Sequence, residues 1–134
     1  MSIAATNAAR DWLSESDPDP DHADLWLTSA HVLVLPLGFK WCVVKVPADL
    51  GTAAVDGGLR GPAILEPGRY VYFAVPNSTI ESWDVPDTEC LGEGVWLGVP
   101  GPKVVAPPGL HWLTLPDGTL VDPDALRAAL KPCQ

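Results

Sequence analysis

Basic residues are scarce in this chain. Of 134 residues, eight are Lys or Arg against 17 Asp or Glu, for a formal charge of −9 and a pI near 4.4. Nucleic-acid affinity rests mainly on cations that neutralise phosphates, so direct nucleic-acid binding is disfavoured. Cysteine is scarce as well: Cys42, Cys90 and Cys133 are odd in number and lack metal-ligand spacing, which argues against a disulfide framework and a zinc ribbon. No stretch approaches the roughly 20 apolar residues that span a bilayer, and Met1-Ser2-Ile3-Ala4 has neither the basic start nor the apolar run of a leader. The expectation is a cytoplasmic protein with no membrane association. A serine elbow, a Gly-Lys-Ser phosphate loop and a paired-Cys motif are all missing, so no catalytic residue, metal ligand or cofactor is assigned.

What is present is apolar bulk. A content of 47% hydrophobic residues with six Trp suits one globular domain with a real core. Acidic balance serves solubility first. The composition, rich in Ala, Gly, Pro, Val and Leu, is what a GC-rich bacterial genome encodes.

The chain divides into a helix and acidic linker (1–22), a core (23–116) and a C-terminal helical segment (117–134). Ala5, Ala8, Ala9, Trp12 and Leu13 recur at helical spacing over 3–13, with Asn7 and Arg10 toward water. The run Ser14-Glu15-Ser16-Asp17-Pro18-Asp19-Pro20-Asp21-His22 is a proline-broken acidic linker, and a short helix is expected over 23–29. Residues 31–38 and 41–46 read as two strands joined so closely that an antiparallel hairpin is expected. A weak helix over 50–59 ends at Gly57 or Gly58. Residues 61–68 read as a loop.

The next segment, 69–76, alternates as a strand with Tyr70, Tyr72 and Ala74 on one face and Val71, Phe73 and Val75 on the other. A polar loop around Trp83 follows, then strands over 90–100, 103–108 and 110–116, and a tight turn at Asp117-Gly118. Asp122 caps a last helix with Pro123 in its first turn, Lys131 at its C-terminal dipole and Pro132 as its stop. The fold class expected is α+β, a mostly antiparallel central sheet with short helices at both ends.

Three segments in order resemble the N-terminal bifunctional primase-polymerase domain of the archaeo-eukaryotic primase superfamily. Val43-Val44-Lys45-Val46-Pro47, then Gly51 and the Ala-rich stretch 53–59, is similar to the family's acid-hydrophobic-acid strand and following helix. Pro67-Gly68-Arg69-Tyr70-Val71-Tyr72-Phe73 resembles its glycine-rich turn ending in His before a Leu-Tyr-Phe strand. Glu89-Cys90-Leu91-Gly92-Glu93-Gly94, running to Pro102, looks like the third acid and the strand toward Ala-Pro-Pro; Val104-Val105-Ala106-Pro107-Pro108-Gly109 is a second candidate for that last motif.

The resemblance implies a reduced primase-polymerase core spanning roughly residues 32–115. At the family's functional positions stand Lys45 for the first acid, Pro47 for the second and Tyr70 for the histidine, leaving Glu89 as the third acid. Two-metal nucleotidyl transfer needs carboxylates that hold two cations. An ammonium in their place opposes that chemistry.

The expectation is therefore a non-catalytic binding or regulatory module, a pseudoenzyme acting through a protein partner or through a small ligand in the inherited cleft. Candidate ligand-binding residues are Lys45, Arg69, Tyr70, Glu89, Lys103 and His111, with Lys45, Arg69 and Lys103 able to meet a nucleotide phosphate as point charges. An enzyme with a rearranged site around Lys45, Glu89 and His111 is the alternative. Two local readings compete with these: Lys45 reaching water or pairing with an acid such as Asp49, and His111 as a satisfied core histidine instead of a partner of Asp84 or Glu89. Trp26, Trp41, Trp83, Trp96 and Trp112 are mostly core anchors, and one or two exposed on the same face would mark a protein interface, with a basic partner favoured by the acidic charge.

Overall fold

The structure is a computed structural model and describes residues 3–16, 32–102, 104–106 and 109–130. The expected helix over 23–29, Trp26, Lys103, Lys131 and Pro132 lie outside them. Elements follow in the order α1 (Ile3–Glu15), β1 (Val32–Pro36), β2 (Cys42–Pro47), α2 (Ala48–Asp56), β3 (Ala63–Glu66), β4 (Tyr70–Val75), a 3-10 turn (Asn77–Glu81), β5 (Glu89–Leu91), β6 (Trp96–Pro100), β7 (His111–Thr114) and α3 (Pro123–Ala129). The class is α+β. Among the described residues all pairing is antiparallel, in a five-stranded sheet of order β5-β2-β4-β3-β7 and a two-stranded ribbon of β1 and β6.

The alternation read in β4 sorts the interior into two layers. Val71, Phe73 and Val75 join Cys42, Val44 and Val46 of β2 on one face, covered by Ala54 of α2 and by Val121 and Leu126 at the start of α3. On the other face Val43, Ala74, Ile64 and Trp112 meet Leu13 of α1 and Leu35, Leu97 and Val99 of the ribbon. Burying both faces explains why β2 is β-branched on both sides of Lys45.

Several sequence expectations are corrected. β1 and β2 form no hairpin: β1 pairs β6, with Val34 opposite Gly98 and Pro36 opposite Trp96, while β2 pairs β4 and β5. The tight turn between them exists, closed by Gly38 N–H to Trp41 C=O at 2.9 Å, but Leu37 N–H goes to Val95 C=O at 2.8 Å and carries the chain into the ribbon. Residues 90–100 are two strands in different sheets, separated by a turn in which Val95 N–H bonds to Gly92 C=O. The loop expected at 61–68 contains β3, an interior strand between β4 and β7. The polar loop after β4 begins with the 3-10 turn, and residues 104–106 form no strand.

Helix ends follow local chemistry. α2 starts two residues earlier than read, directly after Pro47, and stops in a Schellman-type cap: Gly58 takes φ +101°, Gly58 N–H bonds to Val55 C=O, and Leu59 N–H bonds to Ala54 C=O. At α3 the Asp122 carboxylate accepts from Asp124 N–H at 3.0 Å, with Pro123 in the first turn.

Candidate functional site

One row of side chains crosses the five-stranded sheet from edge to edge: Glu89 on β5, Lys45 on β2, Tyr72 on β4, Ile64 on β3 and Trp112 on β7. It passes from exposed charge at Glu89 to buried indole at Trp112, whose Nε1 donates to Pro100 C=O at 2.8 Å. The next row outward holds Pro47, Tyr70 and Glu66. α1 and the ribbon cover Val43 and Ala74, whereas Lys45 and both tyrosines stay half-buried at the margin of the layer.

Charges here are matched locally. Lys45 Nζ lies 3.7 Å from Glu89 Oε1 and 4.6 Å from the centre of the Tyr70 ring, a salt bridge and a cation–π contact on one ammonium. Its acidic partner is thus Glu89, not Asp49. Arg69 Nε, on an exposed side chain, lies 3.2 Å from Oε1 of the half-buried Glu66, and Tyr72 Oη donates to Glu66 Oε2 at 3.5 Å. Burial, reinforced by the Glu66 carboxylate, raises the Tyr72 phenol above its ordinary value, against a smaller opposing effect of Arg69.

Of the candidate residues, the fold brings Lys45, Tyr70 and Glu89 together and sets Arg69 at their border. His111 is elsewhere. It stands opposite Leu65 and two positions before Leu113 on the same strand, and both leucines pack on the far face of the sheet, so it makes no pair with Glu89. Asp84 instead meets Arg127 at 3.8 Å. The His111 side chain is buried, with Nδ1 2.9 Å from Gly109 C=O, a structural histidine. Glu66 and Tyr72 complete the cluster and escaped the sequence reading, since only the β3–β4 register reveals them; the alternation of Tyr70 and Tyr72 was the available signal.

Positions 45, 47 and 89 do share one face, the placement that a metal-holding set of acids would need. Their residues do not fit metal ions: Lys45 is a cation, Pro47 has no donor, and among the described residues no group of three His, Cys, Asp or Glu side chains could hold one.

A second feature is apolar. Trp96 is 62% exposed on the outer face of the ribbon, opposite Pro36 and on the side of the exposed Val34, with the exposed Phe39 and Val95 in the adjoining turns. Other tryptophans among the described residues behave as anchors. Trp41 and Trp112 are buried, and half-buried Trp83 donates to Thr88 Oγ1 at 2.8 Å beneath the Arg127 guanidinium.

Compared with protein families, curated proteins and solved structures, the chain gives no match.

Proposed function

We propose that this chain is a non-catalytic, primase-polymerase-like module that works by binding a protein partner through the outer face of the β1–β6 ribbon. The observation that carries the reading is Trp96, an indole held in water on a rigid strand although the same strand buries Leu97 and Val99. Exposed aromatic anchors ringed by apolar contacts dominate protein-binding energetics. The charge of −9 favours a basic partner by steering its approach.

A small ligand on the Lys45 face is the second reading, favoured by an ammonium and two tyrosines on an open sheet surface with Arg69 at the rim. The supporting geometry is the shared face of positions 45, 47 and 89.

Two measurements separate the readings. Quantitative capture should recover a partner on the wild type and on Lys45→Ala that is lost on Trp96→Glu, with both variants unfolding as the wild type does. Thermal unfolding with nucleoside triphosphates, with Mg²⁺, Mn²⁺ or neither, should show no shift. A ligand at a hundred times its Kd stabilises by about 2.7 kcal/mol, raising the midpoint by roughly 5–15 °C. A shift of that size abolished by Lys45→Ala replaces the protein-binding reading with the ligand reading, and a shift that requires metal removes the non-catalytic one.

A further inference from the structure

Beside the ribbon surface and away from the Lys45 face, a groove of about 250 Å³ opens where the end of α1 meets the β1–β2 turn and the loop before α3, lined by Trp12, Glu15, Ser16, Lys40, Trp41 and Leu120. Its aromatic wall is a stacked pair, Trp12 on Trp41, with ring centroids 5.0 Å apart and planes within 14°. Ser16 fixes that wall. Its Oγ donates to Trp12 C=O at 2.8 Å and accepts from Trp41 Nε1 at 2.8 Å, and both Ser16 and Trp41 are buried. A wall set in this way need not be ordered when a ligand arrives, which lowers the cost of binding.

The mouth carries charges of both signs. Glu15 and Lys40 are exposed and line the same groove, yet no ion pair joins them: among the described residues the ion pairs are those of Lys45, Arg69 and Arg127. Lys40 Nζ lies 5.2 Å from the centre of the Phe39 ring. Glu15 is the last residue of α1, whose terminal carbonyls add to the attraction for a cation.

These features limit the occupant. A volume of about 250 Å³ falls below the roughly 300–1,000 Å³ of drug-sized pockets and favours a small ligand. An indole wall prefers a planar ring. A ligand with one charge would satisfy one of Glu15 and Lys40 and face the other as a like charge. We infer that the groove binds a small aromatic zwitterion, of the class of a free aromatic α-amino acid, with its ring on Trp12, its ammonium toward Glu15 and its carboxylate toward Lys40. This site adjoins the ribbon surface only at Phe39 and Lys40 and contains neither Trp96 nor any residue of the Lys45 face.

Titration calorimetry on the full chain tests it with three probes: L-phenylalanine, 2-phenylethylamine and 3-phenylpropionate. The zwitterion should bind at least about tenfold more tightly than either singly charged analogue. Glu15→Gln should abolish the discrimination against 3-phenylpropionate, and Lys40→Gln that against 2-phenylethylamine, while both exposed substitutions leave the thermal midpoint unchanged. Trp96→Glu should leave all three affinities as they are, so the outcome does not depend on the ribbon proposal. Absence of saturable L-phenylalanine binding up to roughly 10 mM, the weak end for a ligand of this size, overturns the inference. Equal affinity for the three probes overturns it too.

Discussion

Lys45 and Glu89 stand directly opposite each other on β2 and β5, Nζ 3.7 Å from Oε1, at two positions where the proposed primase-polymerase relationship would place carboxylates. Both side chains reach solvent, with 29% and 60% exposure, so a double-mutant cycle of Lys45→Ala and Glu89→Ala should return a coupling of less than about 1 kcal/mol. Lys45→Asp sets two acids across the ladder and should destabilise by about 0.2–1 kcal/mol more than Lys45→Met. In a Lys45→Asp, Pro47→Asp double variant, three carboxylates share one face and Mn²⁺ should raise an unfolding midpoint that it leaves unchanged in the wild type. Failure of Mn²⁺ to act on that variant would count against the alignment of these positions with the family's acids.

Gly51 of α2 lies against the fully buried Val71 of β4 so closely that a Cβ there would fall 2.5 Å from Val71 Cβ and 2.7 Å from its Cγ2. Gly51→Ala gains about 1 kcal/mol in helix propensity, and the overpacking costs about 1–3 kcal/mol. Net destabilisation of up to about 2 kcal/mol is expected in denaturant titration. Only glycine at the neighbour removes its Cβ as well as its Cγ2, so the Gly51→Ala, Val71→Gly double variant should be more stable than the sum of its single effects predicts.

Burial, with a smaller contribution from Cys42, raises the Cys90 thiol from an ordinary value near 9 to about 11. The fold therefore favours the protonated thiol. Its contribution to stability is intact below pH 9 and is lost as the pH rises through 11, because the unfolded chain ionises first. Denaturation midpoints measured from pH 8 to 11 should fall, and fall less steeply in Cys90→Ala. At pH 8 the native thiolate population is about a hundredfold below that of the unfolded chain, so alkylation of Cys90 should slow by a similar factor on folding.

Local chemistry made much of the fold legible. The faces of β4 followed from the alternation of Tyr70 through Val75, the α2 stop from Gly57 and Gly58, the α3 start from Asp122 and Pro123, and the turn near Gly118 from Asp117, whose carboxylate accepts from Thr119 N–H at 3.0 Å. Each depends on residues within a few positions of one another, so composition and spacing suffice. Of the candidate site, Lys45 and Tyr70 fall in strands that the sequence itself marks, whereas Glu89 was singled out only by the family resemblance, the strand there being read from residue 90.

Pairing was decided elsewhere. A strand's sequence specifies which side chains share a face but not which strand it joins, since that choice rests on burying two layers at once over long separations in the chain. Thus β1 abandoned its nearest neighbour for β6, because Leu35 and Leu97 had to close over Val43 and Trp112, and Ala63 to Glu66 became an interior strand. The same tertiary choices placed Glu89 opposite Lys45, turned His111 to the far face and left Trp96 in water. Sequence by itself determined the helix ends and the faces of β2 and β4, where the signals are local; only the tertiary structure decided that 63–66 is a strand, which charges met and which aromatic ring was left for a partner.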